Sequence, residues 1–332
     1  MISPEIRVQI RRYFYAEHRF PSTSSSCQLP APVLFLVRLA AASETPRLTV
    51  VMPFLNEERW LPLSLGALST QTLPRHLFEV ILIDNGSTDR SVEIVRAFPH
   101  VTLLHEPRRD PYLARNCGIE AAKAPYVVFI DADCIPAAGW LEEINAAITR
   151  SHAPILLGYL AFPEKRCPLL RRHEEYYHAK LEHLLQHRLH GHYFGHAGNM
   201  AVRRDLFDLL GLFPPMPMVG DTEIIHRMLD RWPSATVAYV PAARVVHAEV
   251  TSFRVCLQKF HECGLYSETL SRISDYRPLP LAERLRILWR CRSANHYSFA
   301  AMLESVFALL TGWVAFESGR LRVRALLARS AR

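Results

Sequence analysis

Asp131 and Asp133, with Ala132 between them, follow directly on the apolar run Tyr126-Val127-Val128-Phe129-Ile130. Paired carboxylates at a strand end can hold a divalent cation through hard oxygen ligands while also meeting a sugar or ribose of the same ligand. Position matters as much as residue type, because open α/β sheets bind ligands outside the carboxyl ends of their strands. Taken alone, Asp-x-Asp is also a frequent solvated turn, so the surrounding chain decides between the two readings.

Two earlier apolar runs have the same form. Glu79-Val80-Ile81-Leu82-Ile83 ends in Asp84 and continues as Asn85-Gly86-Ser87-Thr88-Asp89; Leu48-Thr49-Val50-Val51-Met52 leads into Pro53-Phe54-Leu55-Asn56-Glu57-Glu58. Each run is followed by a stretch with helical spacing, which predicts β-turn-α units, a mainly parallel sheet and a polar site along its carboxyl edge. In that frame Asn56 and Glu57 face the strand end and are candidates for a base or ribose contact, whereas Glu58 suits a first-turn cap. Asp84 is placed to accept from the ring N–H of a base, and Ser87 and Asp89 suit the cap of a helix over residues 90–98. Arg115, in Pro111-Tyr112-Leu113-Ala114-Arg115-Asn116-Cys117-Gly118, can reach a diphosphate across the same edge or pair with a carboxylate there.

The ordered set Val51-Met52-Pro53-x-x-Asn56-Glu57, Val80 to Asp89, Ala114-Arg115-Asn116-x-Gly118 and Phe129-Ile130-Asp131-Ala132-Asp133 resembles the family 2 glycosyltransferases of the GT-A fold. The resemblance implies a Rossmann-like α/β sandwich over residues 45–250, with a nucleotide-binding half (45–135) and an acceptor half (136–250). It further implies inverting transfer from a nucleotide-diphosphate sugar to a saccharide or lipid-linked acceptor, with Mg²⁺ or Mn²⁺ as cofactor. Asp133 would then be the main metal ligand, and Asp131 would lie near the metal, ribose and donor sugar. Pro53, Ala132, Gly198 and Asn199 would join the donor site, the last two from Gly195-His196-Ala197-Gly198-Asn199. Gly220-Asp221-Thr222-Glu223 is similar to the family's base region, with Gly220 where many members have Glu. Asp221 is expected as general base, with Glu223 in reserve, although Asp221 also suits a helix cap. His247 resembles a position from which some GT-A enzymes add a histidine metal ligand, and a structural histidine fits there as well.

Composition bounds the rest. The chain has 332 residues, 49% of them hydrophobic, enough for a sizeable core, and its seven cysteines include no Cys-x-x-Cys pair. That usage suits a reducing compartment. Residues 284–332 hold nine arginines against Glu304 and Glu317, 9 − 2 = +7, which equals the net charge of the whole chain. A basic tail without stacking aromatics points to an anionic membrane surface before nucleic acid, and so to the cytoplasmic membrane face. Within it, residues 299–316 carry one charge, Glu304, and suit a helix that lies on a membrane, packs on the protein or spans. Residues 251–332 read as a basic helical segment, and residues 1–44 as a poorly ordered extension.

Two other functions compete. A nucleotide-sugar-binding homologue without turnover is suggested by Gly220, and a zinc protein by the row His173, His178, His183, His187, His190, His192 and His196. Of these, His183 and His187 have the i, i+4 spacing that shares a ligand, yet no third ligand is evident. Phosphate-loop, Gly-x-Ser-x-Gly and Gly-x-Gly-x-x-Gly patterns are absent.

Overall fold

The strand β1, Leu48–Phe54, is buried at every residue and pairs in parallel with β2, Phe78–Asp84, and β4, Tyr126–Phe129. Such continuous burial arises where helices cover both faces of a sheet. Leu48, Val50, Met52 and Phe54 face α1, Leu61–Ser69, whereas Val51 faces α3, Pro111–Ala121, where Gly118 leaves room for it. β3, Thr102–His105, extends this half beyond β2, after the short α2, Ser91–Arg96. The computed structural model describes residues 46–163, 167–215 and 218–330; the expected extension over residues 1–44 lies outside them.

The second half extends the same sheet in mixed orientation, in the order β3-β2-β1-β4-β7-β6-β8-β5. β7, Met200–Arg203, runs antiparallel to both β4 and β6, Ile155–Ala161; β6 is parallel to β8, Val237–His247. The short β5, Cys134–Pro136, pairs antiparallel with the end of β8, setting Cys134 opposite His247. Between these strands come α4, Trp140–Ser151, α5, Pro168–Gln186, α6, Asp205–Leu210, and α7, Gly220–Arg231. β8 continues past a register shift, where Gly158–Tyr159 face Val240 and Arg244. Pro241 cannot donate to a ladder, which suits it to such an irregularity.

The shift turns the Ala243 carbonyl inward to meet Asn199. This side chain is fully buried: Nδ2 donates to Tyr159 O at 2.9 Å and Ala243 O at 2.8 Å, and Oδ1 accepts from Trp140 Nε1 at 2.8 Å. Asn199, expected on the donor side, therefore turns its side chain into the fold and does not line the cavity described below. Its amide is consumed in joining α4, β6 and β8.

Three helices complete the chain: α8, Phe253–Ile273, α9, Leu281–Ala294, and α10, Phe299–Ser330. α10 packs one face on α8 at backbone distance, since a Cβ at Gly264 would stand 2.0 Å from Phe316 O and one at Gly319 2.1 Å from His261 O. Arg320 and Arg324 pair with the buried Glu268, and Glu304 pairs with Arg172 of α5. Part of the basic charge is thus spent inside the fold instead of lying free on a tail.

Asn199→Leu leaves an indole N–H and two carbonyls without partners, each costing about 1–3 kcal/mol. Urea unfolding is expected to report a loss above about 3 kcal/mol, and a loss below about 1 kcal/mol would contradict the structural role.

Candidate active site

Asp133 leaves the end of β4 nearly buried, with Oδ2 2.8 Å from Nε2 of His247. Burial pushes its carboxyl upward, but the hydrogen bond and charge of His247 outweigh burial and hold it below the usual carboxylate range. The Sγ of Cys134 belongs to the same group, whose ligand atoms lie within 4.8 Å of one another. Burial raises that thiol well above its ordinary value, so it stays protonated, and the usable donors are one carboxylate and one imidazole.

Negative charge is in surplus around them. Glu57 is pushed up to about 7, first by burial and then by repulsion from Asp133, Glu249, Asp131 and Asp89. Asp131 is drawn to Arg115, whose guanidinium also lies 4.7 Å from the Tyr112 ring centre, and Lys259 pairs with Glu249 at 2.8 Å. Yet the Nε of Arg115 is buried without a partner. Crowded carboxylates beside an oxygen donor and a nitrogen donor fit a divalent cation of the Mg²⁺ or Mn²⁺ kind.

Asp221 lines the same cavity as these residues, from the first turn of α7. Its Oδ2 accepts from Ala197 N at 2.9 Å and its Oδ1 from Thr222 N at 2.7 Å, which fix the carboxylate from two sides. Its own N–H donates to the hydroxyl of Tyr112 at 3.3 Å. A Cβ at Gly220 would stand 2.7 Å from the Tyr112 ring, so glycine is what this packing admits in place of the Glu of many family members. Glu223, the reserve base, faces away and accepts from Arg227 at 2.6 Å.

A cavity of about 650 Å³ joins these groups, lined by Pro53, Glu57, Arg115, Asp131, Ala132, Asp133, Gly198, Asp221 and His247. Gly198 is small where the Asp131 carboxylate needs room, its Cβ position being 3.2 Å from Oδ2. Ser64 of α1 donates to the Ala132 carbonyl at 2.9 Å, anchoring the Asp-x-Asp turn.

Three expected site residues do not line this cavity. Asn199 is the buried joint described above. Asn56 adopts φ 57° and turns its Oδ1 to Thr88 N at 2.8 Å, binding the first strand's loop to the second. Asp84 accepts from Ser87 N at 2.8 Å and holds His105 at 3.0 Å, so it shapes the turn whose Asn85 does line the cavity. Nor does Glu58 cap α1, which starts at Leu61; it accepts from Arg90 N and Nε. Ser87 accepts from Asn56 N, whereas Asp89 does accept from Ser91 N at the start of α2.

Tyr112, Glu249 and Lys259 were not evident in advance. Glu249 stands two residues past His247, a signal that could have been used, but Lys259 enters only because α8 folds over the site. Residues of α8, α9 and α10 complete the wall, so the C-terminal segment shares the cavity with the residues expected to form a separate catalytic domain.

The histidine row has other partners. His178 contacts Leu160 O at 2.9 Å and the Tyr239 hydroxyl at 2.8 Å; His196 contacts Gly158 O at 3.1 Å and the Tyr177 hydroxyl at 3.0 Å. At the one pair with suitable spacing, Arg290 reaches both His183 Nδ1 at 2.8 Å and His187 Nε2 at 3.4 Å. A guanidinium holds the place a metal would need.

The raised carboxyl of Glu57 has a stability consequence. The folded protein keeps this proton above the ordinary 4.5, so its stabilising effect is full below 4.5 and is lost as pH rises to about 7. Glu57→Gln is expected to flatten the fall of melting temperature between those pH values, without added divalent cation. Parallel curves for variant and wild type would refute the crowding.

Comparisons with known proteins bear on the fold and the family. The profile of Glycosyl transferase family 2 matches residues 49–211. Glycosyltransferase AglE of Haloferax volcanii is 28% identical over 204 residues, 59% of this chain and 66% of that protein. Among solved structures, the mannosyltransferase PcManGT of Pyrobaculum calidifontis, in complex with GDP-Man and Mn²⁺, aligns with TM-score 0.53 at 21% identity, covering 86% of this chain and 80% of that one. TarS 1-349 of S. aureus, in complex with UDP-GlcNAc, aligns with TM-score 0.52 at 18% identity over 84% and 83%. The chain thus spans just under two thirds of AglE, and the solved structures share its fold. With its strand-end acids and mixed sheet, this chain has the GT-A fold, and its residues 49–211 are similar to glycosyl transferase family 2.

Proposed function

We propose that the protein is an inverting glycosyltransferase that moves a sugar from a nucleotide diphosphate to a hydroxyl of a saccharide or lipid-linked acceptor. The observation that carries this reading is the meeting of two unlike groups on one cavity, the Asp133–His247 pair and the doubly held Asp221 carboxylate. Asp133 and His247 would hold Mg²⁺ or Mn²⁺, with Asp131 nearby, and the cation's chemistry there is to neutralise charge on the departing diphosphate. Pro53, Glu57, Ala132 and Gly198 line the donor side, and Arg115 orients Asp131 while adding positive charge. Asp84 and Asn56 shape that side by holding its turns.

Asp221 removes the acceptor hydroxyl proton as the oxygen attacks the anomeric carbon from the face opposite the diphosphate. The new C–O bond forms while the bond to the diphosphate oxygen breaks, and the nucleotide diphosphate leaves. A fixed carboxylate in this role contributes about 10²–10⁴-fold. The binding-module alternative loses its main motive, since Gly220 is explained by the Tyr112 ring. PcManGT with GDP-Man and Mn²⁺, and TarS with UDP-GlcNAc, support a nucleotide-sugar donor by fold likeness.

A peripheral position at the cytoplasmic membrane face is part of the same reading. Phe299–Ala328 is long and apolar enough to cross a membrane by length and composition, but Glu304 and Arg320 tie it to α5 and α8. What remains exposed is a stripe on one face, Phe299, Leu303, Phe307, Leu310 and Val314, beside Leu281, Leu285 and Trp289 of α9. An apolar face with arginines around it suits an interfacial helix.

Thermal shift with UDP, GDP, ADP and CMP, with and without Mn²⁺, tests the donor site, since ligand at 100 times its Kd adds about 2.7 kcal/mol. One nucleotide is expected to stabilise the wild type and Asp221→Asn in the presence of metal, and to lose its effect on Asp133→Ala. Asp221→Asn is expected to cut sugar transfer about 10²-fold or more; unchanged transfer would remove Asp221 as base. For the surface, Trp289→Ser with Phe307→Ser is expected to release the protein from phosphatidylglycerol vesicles in sedimentation. Undiminished binding would refute docking by this stripe.

A further inference from the structure

The cavity also includes a recess walled by α5 and the three C-terminal helices, where Lys180, Arg284 and Tyr176 line it. Lys180 of α5 lines it with its ammonium 4.0 Å from the Phe194 ring centre, and Arg284 of α9 lines it with Nε donating to Leu279 O at 2.8 Å. Among the described residues, no carboxylate forms an ion pair with either cation. The hydroxyl of Tyr176, one turn before Lys180 on α5, is buried without a hydrogen-bond partner, although its residue is only 9% exposed. Burial and then the charge of Arg284 push Lys180 down to about 7, the behaviour of a cation facing another cation without a counter-charge. His173, two turns before Lys180, is held neutral at about 3 by burial and by Lys180, so it adds no third positive charge.

Two cations and an orphaned hydroxyl in one recess are costly unless something accepts from them. The remaining wall is apolar, formed by Leu270, Leu309, Trp313 and Phe316. Cys263 of α8 lines the same cavity.

We infer that Lys180, Arg284 and Tyr176 form an acceptor subsite for a phosphate group carried on an apolar chain, so that the acceptor is a phosphate-bearing amphiphile. This deepens the glycosyltransferase reading and rests on it for the word acceptor. The binding chemistry itself stands apart. Phosphate accepts from all three donors and restores the missing charge, while the apolar wall takes the chain.

Decyl phosphate and decyl glucoside, matched in tail and different in charge, provide the test below their micellar concentrations, with calorimetry as readout. Wild type is expected to bind decyl phosphate at least 10-fold more tightly than decyl glucoside. Lys180→Met and, separately, Arg284→Met are each expected to lose most of that preference, Lys180→Arg to keep it, and Tyr176→Phe to weaken it. Without ligand, Lys180→Met is expected to melt no lower than wild type, because a charge without a partner is removed. Equal affinity for the two amphiphiles, or an undiminished preference in both methionine variants, would overturn the subsite. Inorganic phosphate that matches decyl phosphate would overturn the apolar half of the assignment. The nucleotide panel with Mn²⁺, run on the same samples, separates the readings: a phosphate preference without a nucleotide response refutes the transferase reading and leaves this subsite standing.

Discussion

The side chain of Asn199 holds the second half of the sheet in one geometry. It has no exposed surface, and its amide bonds α4 through Trp140, β6 through Tyr159 and β8 through Ala243. Because β8 ends in His247 and β5 pairs with it from Cys134, the same joint sets where His247 meets Asp133. A shift of β8 by one residue would turn His247 to the other face of the sheet. The Asp133–His247 corner is thus an outcome of strand register, not only of the Asp-x-Asp spacing.

A second constraint is electrostatic. The carboxyl edge gathers Glu57, Asp131, Asp133 and Glu249, and offsets them incompletely with Arg115, His247 and Lys259. Such crowding costs stability in the free protein, and a cation bound there would relieve it. In the recess the imbalance has the opposite sign, with Lys180 and Arg284 lacking a carboxylate. A donor bringing metal and diphosphate to the edge and an acceptor bringing phosphate to the recess would each complete a charge that the fold leaves open.

Much of this edge was legible from residue order alone. Alternating apolar runs and helical stretches fix the carboxyl ends of the strands as the place for Asp131, Asp133 and Glu57, since parallel sheets present that edge together. The direction in which a turn residue points was not legible. Asn56 and Asn199 have the residue type and the position of ligand contacts, but Thr88 and Ala243, remote in sequence, claim their side chains. The C-terminal segment was read as basic and helical, which it is. Its place in the wall depends on the Gly264–Gly319 approach and the Glu268 ion pairs, which periodicity and charge counts do not report.

Whether Asp133 and His247 hold a cation, as proposed, is open to direct observation. Anomalous diffraction from crystals grown with Mn²⁺ and the nucleotide that stabilises the protein would locate the ion directly. The account predicts one strong peak within bonding distance of both Asp133 and His247 Nε2. A peak at the His183–His187 pair, or an ion bound away from Asp133, would contradict it.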